Sequence, residues 1–179
     1  MIEQLKTDFD KIIGSLELSS ENIESRKKNF NQFVENGFPN KKIEDWKFSD
    51  LNQIISSNIE NLCFHNSDLE LCKLDETIYI NKITHNKIVF LNGIISNIDF
   101  SQEDETKVLL TRDLNKNENF KEVNPLVSLN NALTASYIRI TVKENYSLNK
   151  PLIIYNITTK KLKSTALNLK TDIVLEKNS

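Results

Sequence analysis

Four residues carry side chains that could hold a metal: Cys63, His65, Cys72 and His85. Thiolates and imidazoles of this kind suit zinc, iron or an iron–sulfur cluster. Their spacing argues against it. No C-x-x-C pair is present, and Cys63 and His65 point the same way only if the chain between them is a regular strand. The plainer reading is two separate cysteines, at least one packed as a small hydrophobe, and two surface histidines. A disulfide is not expected in a reducing compartment. Other chemistry is equally unsupported. The glycines are Gly14, Gly37 and Gly93 alone, so there is no phosphate-cradling loop and no G-x-S-x-G elbow. Glu44 and Asp45 flank Trp46, but adjacent acids do not face one site; they read as first-turn charges or partners of Lys41 and Lys42. No base stands beside a nucleophile. The expectation is a chain without catalytic, cofactor-binding or metal residues, and not an enzyme.

The elements that would position any site follow from composition and pattern. With 179 residues, 39% hydrophobic and 27% charged, the chain can fold as one ordinary domain or two small ones. A net charge of -2 gives no global attraction for nucleic acid or an anionic membrane. "MIEQLKTDFD" lacks the basic start and apolar run of a signal peptide, and no stretch approaches the roughly 18 apolar residues of a membrane span. A cytoplasmic location is the default. Glycine and proline number three each, so asparagine must carry much of the turn chemistry.

Ile2, Leu5, Phe9, Ile12 and Ile13 form one stripe of a helix over residues 2–13. Ser20 is placed to cap a second helix, whose apolar face is Ile23, Phe30, Phe33 and Val34. Gly37 sits at a C-cap position and Pro39 forbids continuation. A further helical segment is expected from about Lys41, with Ile43 and Trp46 packing against the preceding helix. Trp46 is read as a core anchor rather than a ligand-stacking or partner-contacting residue, and its replacement by alanine would then cost about 3–5 kcal/mol.

Beyond residue 60 the period changes. "ETIYINKI" and "NKIVFLNGIIS" suggest strands, and Asn92–Gly93 between apolar runs suggests a type I′ hairpin. Residues 101–122 are polar, with a strand-like interruption in "KVLLTRDL". "NPLVSLNNALTA" reads as a helix capped by Asn124 with Pro125 in its first turn. "YIRITV", "PLIIYNI" and "ALNLKTDIVLE" read as strands without intervening helices, the pattern of a stacked sheet or small sandwich. The expected fold class is α+β. Its expected divisions are a helical domain over 1–60, a strand-rich connection over 61–123, and a helix leading into strands over 124–179.

The segment "GFPNKKIEDWKFSDL" resembles a stretch of the SufD subunit family of bacterial iron–sulfur cluster assembly. Gly37, Phe38, Pro39, Lys41, Lys42, Glu44, Trp46, Lys47, Phe48 and Ser49 occupy that family's pattern. "IVFLNGIIS" is similar to the family's short strand ending in Asn–Gly. "NPLVSLNNAL" followed by "IRITVKENYSLNKPLIIYNI" is similar to its entry into a β-helix. The three matches lie in order and cover most of the chain.

The resemblance implies a helical N-terminal domain and then the start of a right-handed parallel β-helix. It also implies a scaffold role, with a SufB-like scaffold subunit paired through the β-helices and a SufC-like ATPase recruited mainly by a C-terminal region. Iron or an iron–sulfur cluster is implied only for the assembled complex. No cluster-binding residue of the family falls on this chain, and Cys63, His65, Cys72 and His85 match none of its motifs. The residues marked are structural: Gly37, Pro39, Glu44, Trp46, Lys47, Asn124 and Pro125. Because "DIVLEKNS" follows directly on a strand, the native polypeptide is expected to continue, or another chain to cover the edge, with self-association there as a further outcome. Two other readings stand beside this one. The chain could be a free-standing interaction module of helices and a small sheet, or a small metal-binding protein using the four residues first named.

Overall fold

The computed structural model describes residues 2–59, 61–65, 74–116, 124–160, 162 and 164–179. It is a mixed α+β chain, with five α-helices and two three-stranded sheets among the described residues. The segments group into two compact units, and the chain passes between them repeatedly. The first comprises Met1–Ser67, Asp113–Ala135 and Lys163–Lys170, and the second Asp68–Arg112, Ser136–Leu162 and Thr171–Ser179. This differs from the expected sequential division at residues 60 and 123. Contacts of high sequence separation, not chain order, define the units.

The first unit is helical. α1 (Ile2–Ser15) buries Leu5, Phe9 and Ile12 from the predicted stripe. α2 (Ser20–Asn36) begins one residue earlier than expected. Its cap is Ser19, whose Oγ accepts from Asn22 N–H, and Ser20 is the first helical residue. Gly37 ends it as predicted, at φ 68°, donating its N–H to Phe33 O. α5 (Pro125–Leu133) opens on the Asn124 cap, whose Oδ1 accepts from Leu126 N–H. The core joins Leu5, Phe9 and Ile12 of α1 to Phe30 and Phe33 of α2, with Phe64 and with Leu129, Ala132 and Leu133 of α5. Phe9 and Phe30 stack with centroids 4.3 Å apart, an offset-stacked aromatic pair at the heart of the cluster.

Trp46 is not part of that core. It ends a short 3₁₀ turn, Glu44–Trp46, and is partly buried outside the core cluster. Ile43 is exposed as well. The helix expected from Lys41 is broken, because Asp50 caps a separate α3 (Leu51–Asn58) by accepting from Gln53 N–H. The residue that packs on α2 is Phe38, edge-on to Phe33 at 5.0 Å. The core-anchor expectation for Trp46 is therefore corrected. Trp46→Ala should cost about 1 kcal/mol or less in urea denaturation; a loss of several kcal/mol would restore the anchor reading.

The second unit holds the strands, apart from the first two residues of the last one. β1 (Asn86–Leu91) and β2 (Ile94–Asp99) form the predicted hairpin, with Asn92 and Gly93 both at positive φ, as a type I′ turn requires. "ETIYINKI" is no strand. Glu76–Ile78 is a 3₁₀ turn, and Ile78, Ile80 and Ile83 are exposed. α4 (Gln102–Lys107) lies in the polar stretch and feeds β3 (Val108–Thr111), the strand read from "KVLL". β4 (Ser136–Val142), β5 (Leu152–Ile157) and β6 (Leu169–Leu175) occupy the three predicted strand segments. The sheet orders are β2-β1-β5 and β3-β4-β6. β1 is buried almost throughout, as a central strand covered on both faces must be.

Candidate interaction site

β5 and β6 are the last strands of their sheets, and each is added in parallel. β5 pairs with β1 residue for residue, from Asn86 against Leu152 to Leu91 against Ile157. Along β6 the partners ascend together with β4: Tyr137 Oη donates to Asp172, Glu176 N–H to Val142 O, and Asn145 N–H to Lys177 O. In the first unit a lone parallel bridge joins Cys63 to Thr165. Among the described residues β1 pairs antiparallel with β2, and β3 with β4. No further strand pairs with β5 or β6 among the described residues. Among the described residues they are therefore edge strands, the kind that can accept a further strand, and the end of β6 exposes Ile173, Val174 and Leu175 in succession.

Polar pins fix these edges. At the start of β1, Asn86 is fully buried. Its Nδ2 donates to Asp104 and to Lys150 O, and its Oδ1 accepts from Ser101 N–H. Asp104, also fully buried, further accepts from Ser101 Oγ, Tyr146 Oη and Asn149 N–H. Burial alone would raise the carboxyl's pKa. The bonds from Ser101, Tyr146, Asn86 and Asn149 outweigh it and hold Asp104 well below the usual carboxylate range. Every donor is aimed at a charge already satisfied, so this is a clasp rather than a general acid. At the other end of β5, Asn92 Nδ2 donates to Thr159 Oγ1 and Asn92 Oδ1 accepts from Thr159 N–H. Across β4 and β6, Asp172 accepts from Tyr137 Oη and lies 3.5 Å from Arg139 Nη2. Burial, then Asp172, pushes the Tyr137 phenol up, which keeps it a donor.

The 37–51 segment is a closed knuckle. Pro39 O accepts from Leu51 N–H, tying its ends; between them Asn40 O accepts from Ile43 N–H, Ile43 O from Trp46 N–H and Trp46 O from Ser49 N–H. Glu44 and Lys47 pair at 2.9 Å. Phe48 at the tip is 89% exposed, with Lys47 Nζ 5.3 Å from its ring centre. Gly37 ends the helix as expected, Trp46 is partly buried outside the core cluster, and Phe48 faces outward.

Of the four possible metal ligands, Cys63, His65 and His85 are among the described residues. Cys63 lines a cleft of about 430 Å³ with Gln4, Ile55, Ser56, Ile59 and Leu62, none of them charged. A thiol activated for chemistry needs an electropositive neighbour. His65 is half-buried beside it in sequence. His85 belongs to the second unit, where Nδ1 is 2.7 Å from Ile83 O and Nε2 is 2.8 Å from Tyr155 Oη. Since a carbonyl only accepts, Nδ1 carries a proton towards Ile83 O. Cys72 lies outside the described residues. Among the described residues no three His, Cys, Asp or Glu side chains are grouped to hold a metal, and no helix is long and apolar enough to cross a membrane.

No family model matches the chain, and no curated protein matches its sequence.

Proposed function

We propose that this chain works by protein–protein contact, as the N-terminal portion of a SufD-like scaffold subunit for iron–sulfur cluster assembly. The observation that carries this reading is the parallel addition of β5 onto β1 in unbroken register. A strand that returns after a long excursion to lie parallel on an earlier one is how a β-helix winds its first coil, and the resemblance of residues 124–157 pointed to such an entry. The parallel run of β6 beside β4 and the Cys63–Thr165 bridge support the same reading. So does a helical unit at the start of the chain, with the "GFPNKKIEDWKFSDL" knuckle at its surface.

On this reading the partners are a SufB-like scaffold subunit and a SufC-like ATPase in the cytoplasm. Iron or the nascent cluster is cargo of the complex and is not held by Cys63, His65 or His85. Neither nucleic acid nor membrane enters. A free-standing interaction module would use the same open edges, and a second copy of the chain is the alternative occupant there. The test is affinity purification of the endogenous protein from its own cell. The SufB-like and SufC-like proteins should come with it in stoichiometric amounts. Their absence, with only copies of this chain recovered, would overturn the scaffold reading in favour of the free-standing module. Tight, stoichiometric zinc or ferrous-iron binding that is lost in Cys63→Ser would instead revive the metal-binding alternative.

A further inference from the structure

The sequence contains the dipeptide Asn–Gly twice, at Asn36–Gly37 and Asn92–Gly93. This dipeptide is the most prone of all to spontaneous deamidation, because glycine leaves its amide nitrogen sterically open. That nitrogen attacks the asparagine Cγ and gives up its proton. The bond from Cγ to the side-chain nitrogen breaks and ammonia leaves. Water then opens the resulting imide at either carbonyl, giving aspartate or isoaspartate. Nothing is oxidised or reduced, and water is the only co-reactant. Reaction requires an asparagine side chain free to turn back on the next amide.

The two sites differ in that freedom. Asn36 is exposed at the last position of α2, and its Nδ2 donates only to the exposed Gln32 O. Gly37 N–H is held by the final bond of the helix, to Phe33 O, the kind of bond lost when a helix end frays. Asn92 is buried. Its side chain is used at both ends by Thr159, its backbone N–H donates to Ile157 O, and its φ of 49° places it in a tight turn.

We propose that Asn36–Gly37 is a site of spontaneous deamidation, and that Thr159 shields the same dipeptide at Asn92–Gly93. The consequence at Asn36 is local. Aspartate there adds a negative charge to the last turn of α2, which holds no basic residue and is the negative end of the helix dipole. Isoaspartate lengthens the backbone and removes the Gly37 cap.

The test is incubation of the full chain in warm, mildly alkaline buffer, followed by peptide mapping for aspartate and isoaspartate at both positions. In native buffer Asn36 should react at least about tenfold faster than Asn92, the ratio set by even a small opening free energy at a buried site. In concentrated urea the two rates should converge. Thr159→Ala should raise the rate at Asn92 and leave that at Asn36 unchanged. Equal native rates, or faster reaction at Asn92, would overturn the proposal. An unchanged Asn92 rate in Thr159→Ala, with the fold confirmed by circular dichroism, would overturn the shielding role of the Thr159 hydroxyl, since the bond from the backbone N–H of residue 159 to Asn92 Oδ1 persists in that variant.

Discussion

Arg26→Ala should cost the first unit about 3–5 kcal/mol, the scale of stranding buried partners of a charge. Arg26 is completely buried on α2. Its Nε donates to Asn22 Oδ1 at 2.7 Å and its Nη1 to Ala132 O at 3.0 Å, while Nη2 has no hydrogen-bond partner. Burial pushes the guanidinium down to about 10, so it remains charged at neutral pH. Among the described residues no carboxylate pairs with it. Ala132 lies in the last turn of α5, the negative end of its dipole, where Thr134 already satisfies Asn130 O and Arg26 takes Ala132 O. The helix end therefore stands in for the missing acid. Alanine would leave a cavity together with two buried acceptors. Methionine would fill the volume and restore roughly half of the loss, since only the acceptors then remain unpaired. Denaturant unfolding of both variants measures this. Arg26→Ala within about 1 kcal/mol of wild type would mean that the guanidinium's own desolvation cancels what it satisfies.

The second large effect is expected at Asp104. Asp104→Ala removes the acceptor shared by Asn86, Ser101, Tyr146 and Asn149 and should cost about 3–5 kcal/mol, allowing for the bonds that Asn86 and Tyr146 keep with Lys150 O and Asn149 Nδ2. The pH dependence has a definite sign. The folded carboxyl titrates below its ordinary value of 3.8, so the folded state binds its proton less readily than the unfolded chain. The stabilisation is fully present above that value and is lost as pH falls below it towards the folded pKa. Unfolding midpoints measured from neutral pH downwards should fall in acid for the wild type and fall less for Asp104→Asn. Parallel acid slopes in the two proteins would assign the effect to other carboxylates.

Neither residue announces itself in the sequence. Arg26 sits in "ESRKKN", which reads as a solvated charged face, and its decisive partner is a backbone carbonyl, a group that every residue has. Asp104 sits in "SQEDETK", where two other acids look the same; the one signal was Ser101 three residues earlier, a spacing that belongs to helix starts. What was legible depended on local rules. The stripe of α1, the Gly37 stop, the Asn124–Pro125 start and the Asn92–Gly93 turn are each decided within a few residues. Trp46 was misread because a period of three apolar positions does not say which side of a loop faces inward. That was decided by the bond from Leu51 N–H to Pro39 O, which closes the knuckle with Phe38 inside. "ETIYINKI" has strand-forming residues but no neighbour to pair with, and β structure needs one.

The interleaved build of the units bears on how the protein is made. During synthesis α1 and α2 leave the ribosome early, but the carbonyl that receives Arg26 lies 106 residues further along the chain. Until Leu133 has emerged, Phe9, Phe30 and Phe33 have no α5 to close over them. α1 and α2 are thus completed only after α5 has been made, and a nascent chain stalled before that point would display an aromatic surface to the chaperones that wait at the exit tunnel.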